Sequence, residues 1–163
     1  MKYSAAAFVV ATVAAAGIAH AQHHRPDSKA LSAQEIEQYR AGAGMGYARA
    51  AELNHFPGPM HVLELADKLA LSEEQRSATK RLMDTHKAEA RAIGAKLVEA
   101  EQALEALFKS GRVDPGALVD ATHAAARLQG EYRLSHLETH RRMRTLLSAE
   151  QVAQYDRLRG YKH

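Results

Sequence analysis

From Ser72 to Ser110 the chain runs without a proline and with one glycine, Gly94, and this stretch constrains the fold more than any other. Ser72 can cap a helix, and Gln75 stands at the third helical position to answer it, which makes a capping box. Gly111 supplies the stop. Stepping about 100° per residue from Leu82 places Leu82, His86, Ala90, Ile93, Leu97, Ala100, Leu104, Leu107 and Phe108 along one arc. Lys80, Arg81, Asp84, Lys87, Arg91, Glu99 and Glu105 fall on the other side. A helix this long with one apolar stripe needs a partner of similar length. The chain offers one. Asp114 is a cap and Pro115 suits the first helical position, so a second helix is expected to run to about Leu146. Its main arc holds Leu118, Ala121, Ala125, Leu128, Tyr132, Met143 and Leu146. Val119, Ala126, Gly130, Leu134 and Leu137 form a weaker second stripe. The first stripe can bury against the hairpin partner; the second implies a further contact, with the short helices or with another subunit.

Shorter helices flank the hairpin. Ser32 and Glu35 form a capping box, with Leu31 and Ile36 placed as a hydrophobic staple. After Gly42, Gly44 and Gly46, Tyr47 to Leu53 reads as a brief helical stretch. Asn54-His55-Phe56-Pro57-Gly58-Pro59 is a turn. Met60 to Leu71 is amphipathic and expected to be helical. Leu147-Ser148-Ala149-Glu150-Gln151-Val152 is a third start box, opening a terminal helix to about Leu158. No segment alternates as a strand would. The expected fold is all-α: a four-to-five-helix protomer built on a long helical hairpin.

The first residues read as an address. Lys2 precedes an uncharged run from Ala5 to Ala19, and Ala19-His20-Ala21 places small residues where a signal peptidase cuts. The run is shorter than the roughly twenty residues of a membrane span. Residues 1–21 are therefore expected to be a signal peptide, 22–30 a flexible lead and 31–160 the helical domain. Cleavage after Ala21 leaves 163 − 21 = 142 residues with 21 basic and 19 acidic groups, an excess of two positive charges. Cys is absent, so disulfides, thiolate metal sites and cysteine nucleophiles are excluded, and helix packing or association must hold the fold. The weak, mixed charge argues against a nucleic-acid partner.

Leu71-Ser72-Glu73-Glu74-Gln75 and Leu147-Ser148-Ala149-Glu150-Gln151 resemble the paired LTxxQ motifs of the Spy/CpxP family of periplasmic stress proteins. Both copies carry Ser where that family most often has Thr, which keeps the capping hydroxyl. The stretch from Gly44 to Asn54, running into Pro57-Gly58-Pro59-Met60 and on to Leu65, resembles a subgroup of the same family. The resemblance covers roughly residues 30 to 160. It implies a curved protomer that pairs into a cradle-shaped antiparallel homodimer in the periplasm. It also implies one of three roles: ATP-independent chaperoning of unfolded envelope proteins, negative regulation of a sensor kinase, or metal sensing.

Histidine supplies the candidate chemistry. Ten are present, nine of them beyond residue 21. His136 and His140 share one face of the second long helix. A hairpin folded about residue 112 pairs positions whose numbers sum to about 224, which sets His86 opposite residue 138, between those two. His86, His136 and His140 are thus candidate ligands for Zn²⁺, Ni²⁺, Co²⁺ or Cu²⁺, although no cofactor is required by the fold. Ordinary hydrogen-bonded interface histidines are the competing reading. His55 and His61 flank the Pro-Gly-Pro turn as a second pair, and His23, His24 and His163 lie near the ends.

Enzymatic motifs are missing. Ser32, Ser72 and Ser148 are explained as caps, there is no Gly-x-Ser-x-Gly elbow, and the glycines near Met45 follow no strand. The chain is expected not to be an enzyme. Charge points instead to a binding surface: residues 123–163 carry eight basic and four acidic groups, against three and five over 30–71. Arg133, Arg141, Arg142 and Arg144, with Leu134 and Leu137, are the candidate client-binding residues, apolar contacts rimmed by guanidinium groups.

Overall fold

The computed structural model describes residues 28–161; the signal-peptide reading and most of the lead lie outside them. Six helices follow in order: α1 Ala33–Ala41, α2 Arg49–Glu52, α3 Pro59–Glu64, α4 Glu73–Lys109, α5 Pro115–Leu146 and α6 Ala149–Arg159. Among the described residues there is no strand. No helix there is long and apolar enough to cross a membrane.

The hairpin of α4 and α5 is the frame. Ser72 and Asp114 cap the two helices, each side chain accepting from a backbone N–H in the first turn, and Gly111 takes a left-handed φ of 67° in the turn between them. The long arc of α4 buries Leu82, Ala90, Leu97 and Val98, and that of α5 buries Ala125, Leu128, Tyr132 and Met143. Phe108 departs from expectation. It extends the same stripe, yet it is exposed, because none of the described residues covers the hairpin tip at that level.

The region from Met60 to Leu71 also differs from the single amphipathic helix expected. Helix α3 ends at Glu64. The chain then winds through turns to Ala70, which adopts φ 47°, and closes with Leu71 N–H donating to Ala66 O at 3.0 Å. A straight helix would keep Ala66 and Leu69 on one face but turn Leu71 away, and the tighter path brings all three into the core.

Two apolar clusters result. One joins Val62, Ala66, Leu69, Leu71, Leu82, Met143, Leu147, Val152 and Tyr155 at the open end of the hairpin. The other joins Ile36, Tyr39, Ala90, Leu97, Val98, Leu128 and Tyr132, where α1 lies on α4. Gly94 makes that seat possible, since a Cβ there would run into the Tyr39 carbonyl oxygen. Residues 28–30, expected within the flexible lead, are instead tied to Glu105. Ser28 Oγ donates at 2.7 Å and Lys29 N–H at 2.9 Å. These hydrogen bonds hold the Glu105 carboxyl down to about 2.

Candidate functional site

The paired Ser-x-x-Gln boxes meet at the open end of the hairpin. Each first serves its own helix: Ser72 accepts from Gln75 N–H, and Gln75 Oε1 accepts from Ser72 N–H at 3.0 Å. Ser148 and Gln151 repeat this, with Ser148 N–H donating to Gln151 Oε1 at 2.9 Å. The two amides then bond each other. Gln75 Nε2 donates to Gln151 Oε1 at 2.8 Å, and Gln151 Nε2 returns to Gln75 Oε1 at 3.0 Å. The remaining amide hydrogens go to Leu146 O at 2.9 Å and Leu69 O at 3.2 Å. Each glutamine thus uses two donors and two acceptor positions, leaving no amide valence open. Leu71 and Leu147 are buried in the cluster beneath. The motif pair is a structural clasp that ties α4, α5, α6 and the α3–α4 turn.

About three turns along α4 from Gln75, the pattern reverses. His86 lies between Leu82 of one cluster and Ala90 of the other, and His136 and His140 lie between Tyr132 and Met143. The three histidines therefore mark the seam between the clusters. His86 Nε2 is 2.9 Å from His136 Nδ1, so the hairpin register places these two as the sequence arithmetic expects. His140 is drawn elsewhere: its Nδ1–H donates to Phe56 O at 2.8 Å. Gly58 leaves room for that ring, because a Cβ there would stand 2.9 Å from His140 Cε1. Tyr47 stacks on His136 and Tyr132 meets it edge-on, while Tyr132 Oη donates to Ala43 O at 2.6 Å. Tyr39 completes the group through its hydroxyl contact with Tyr47 at 3.0 Å. Tyr132 was placed on the apolar arc of α5, whereas Tyr39 and Tyr47 were not singled out from sequence, because they reach the site from separate elements.

Electrostatics keeps the imidazoles neutral. Burial and the neighbouring His86 and His140 push His136 down to about 4. Burial, with His140 nearby, lowers His86, and burial also lowers His140. Two buried ring nitrogens, His86 Nδ1 and His136 Nε2, have no hydrogen-bond partner among the described residues. All three histidines line a cleft of about 740 Å³ between the hairpin and the α1–α3 segment. His61, Glu52, Lys87, Met45, Met60 and Met83 line it too. Among the described residues no three His, Asp or Glu side chains stand together as a ready ligand set. His55 and His61 do not converge either: His55 Nδ1 pairs with buried Asp156 at 2.7 Å, and His61 Nδ1 with Glu64 at 2.9 Å.

The candidate client-binding residues divide. Leu134 is 63% exposed and Val119 52% exposed. By helical stepping, Leu134, Leu137, Arg141 and Arg144 share the face of α5 turned away from its buried arc. Arg141 is held by Glu138 at 2.6 Å. Arg133 lies over the Tyr47 ring at 5.3 Å, so its guanidinium caps the tyrosine group. Arg142 lies on the flank, in a small groove with Arg81, Leu82 and Thr85.

With a helical hairpin closed by two interlocked Ser-x-x-Gln boxes, the molecule has the architecture its motifs call for. Residues 59–159 match the LTXXQ motif family, more than half of the chain, and the protein belongs to that family. The family is one of periplasmic stress and metal-resistance proteins in general. No curated protein and no solved structure matches the chain.

Proposed function

We propose that the protein is an exported, periplasmic, non-enzymatic stress adaptor that binds unfolded segments of envelope proteins without ATP. The observation that carries this reading is the outward face of α5. Leu134 and Val119 are exposed there, Leu137 is half-buried and Arg141 and Arg144 lie alongside. Apolar side chains set among arginine stems make a weak, sequence-tolerant surface for a disordered chain. The second stripe of α5 also suits a homodimer, and the family context supports a sensor-kinase partner as an additional role. The test is suppression of aggregation of a denatured client. Wild-type protein is expected to suppress at equimolar dimer, and Leu134→Asp with Val119→Asp to lose most of the effect while remaining helical. Failure of the wild-type protein to suppress would overturn the reading. A monomer by light scattering at tens of micromolar would remove the dimer.

A second reading is favoured by the open nitrogens in the cleft: a transition-metal binder using His86, His136 and His140. Neutral imidazoles are ready ligands, since no proton has to leave them near pH 7. His140 would have to release Phe56 O or ligate through Nε2. A calorimetric titration with Zn²⁺, Ni²⁺, Co²⁺ and Cu²⁺ tests it. Binding unchanged in a variant with all three histidines replaced by Ala would exclude this site.

A further inference from the structure

The metal reading leaves open which class of ion the cleft would take, and the hydrogen bonding of its histidines narrows the choice. A neutral imidazole has one N–H and one lone pair. In the His86–His136 contact one ring donates and the other accepts. If His86 Nε2–H donates, the bare lone pair is on His86 Nδ1; if His136 Nδ1–H donates, it is on His136 Nε2. In either tautomer the pair offers one free nitrogen ligand, and the second ring orients the first as an outer-shell partner does. His136 is 5% exposed and its Nε2 has no partner among the described residues, so this open valence is buried at the wall of the cleft.

Beyond the imidazoles, the soft donors of the cleft are thioethers. Met83 stands three residues before His86 on α4, one turn away on the same face, and it lines the cleft with Met45 and Met60. The lining carboxylate, Glu52, already accepts from Tyr155 and Tyr161 at 3.2 and 2.7 Å. Lys87 adds a positive charge to the wall. A doubly charged ion would enter beside the Lys87 cation with Glu52 as the one carboxylate in the lining, an unfavourable setting for Zn²⁺ or Ni²⁺. A soft, singly charged ion needs fewer ligands, prefers sulfur and imidazole, and brings half the charge.

We infer that the cleft binds a soft monovalent ion of the Cu(I) and Ag(I) class, held by one imidazole of the His86–His136 pair and the Met83 thioether. This rests on the metal-binding reading and narrows it. The His–His hydrogen bond then positions the ligating ring, and the tyrosine group packs the pair from the far side. Met45 and Met60 supply further sulfur from the facing wall.

The test uses the mature protein, with Ag(I) as a redox-stable probe and Cu(I) kept reduced without oxygen, each in competition with a chromophoric chelator. One ion per chain is expected to bind at the cleft. Met83→Leu, which conserves volume, and His136→Gln should each weaken it by at least about tenfold, since ligand loss exceeds the effect of losing an outer-shell partner. Exposed His123→Gln should leave affinity unchanged. Circular dichroism checks folding, and Met83→Leu keeps the test decisive if His136→Gln does not fold. Ag(I) and Cu(I) affinities indifferent to both substitutions would overturn the inference and assign the ions to the terminal histidines. Zn²⁺ bound at His86 and His136 without measurable Ag(I) or Cu(I) binding would overturn the inference while leaving the broader metal reading intact. Absence of binding by every ion would overturn both.

Discussion

The clasp, which joins α4 to α6, and the histidine seam between α4 and α5 are both polar insertions along the hairpin, less than four turns apart, and they solve the same problem in opposite ways. At the clasp, two glutamines satisfy each other and four backbone groups. At the seam, two histidines satisfy one another once and leave a buried nitrogen open on each ring. A saturated network fixes one geometry and can do little else. An unsaturated one costs stability and keeps chemistry available. The contrast separates the part of the hairpin that holds the fold from the part free to bind.

Substitutions can break this comparison at either end, and the largest effect is expected on the seam side. Gly94→Ala would drive a methyl group into the Tyr39 carbonyl and lift α1 from the tyrosine group. A loss of about 3 kcal/mol or more is expected, read by chemical denaturation, with cooperativity from the clasp end retained.

Acid should reach the seam and spare the clasp. His136 is pushed down to about 4, with His86 and His140 also lowered. The folded state thus favours neutral rings, while unfolded histidines take protons near 6.5. Stability should be level above about pH 6.5, fall as pH drops below it, and level off once His136 itself titrates near 4. The full loss from His136 alone is about 3 kcal/mol. Denaturation in chelator at a series of pH values measures it, and His136→Gln should flatten much of the slope.

At the clasp, Gln151→Glu keeps an acceptor for Ser148 N–H but loses the hydrogens donated to Leu69 O and Gln75 Oε1. A cost of about 2 kcal/mol is expected. Gln75→Ala and Gln151→Ala should couple by about 1 kcal/mol or more in a double-mutant cycle, because they share two bonds. Ser72→Ala should cost about 1 kcal/mol as a lost cap. Leu134→Ser, on the exposed face, should change stability by no more than about 0.5 kcal/mol. A large effect there would mean that the outward face of α5 is covered.

Much of this was legible in the chain. The capping boxes, the Asp114-Pro115 start and the Gly111 stop all hold, because caps are local hydrogen bonds between residues three apart. Hairpin length set His86 opposite residue 138, between His136 and His140, and the observed bond to His136 lies within two positions of that register. Other features were not legible. His140 faces the same seam, but its Nδ1–H donates to a carbonyl 84 positions away, at Phe56. Arg133 reads as part of a basic rim, and the Tyr47 ring claims its guanidinium. Helix α3 stops early because burying Ala66, Leu69 and Leu71 together outweighs continuing a short helix.

The sequence by itself determined an all-α hairpin with capped starts and an approximate register, since periodicity and caps act over a few residues. Only the tertiary structure decided that the two motif glutamines grip each other and that the histidines split into a bonded pair and a tethered third. Those outcomes depend on which distant backbone groups come within 3 Å, and no local pattern encodes that distance.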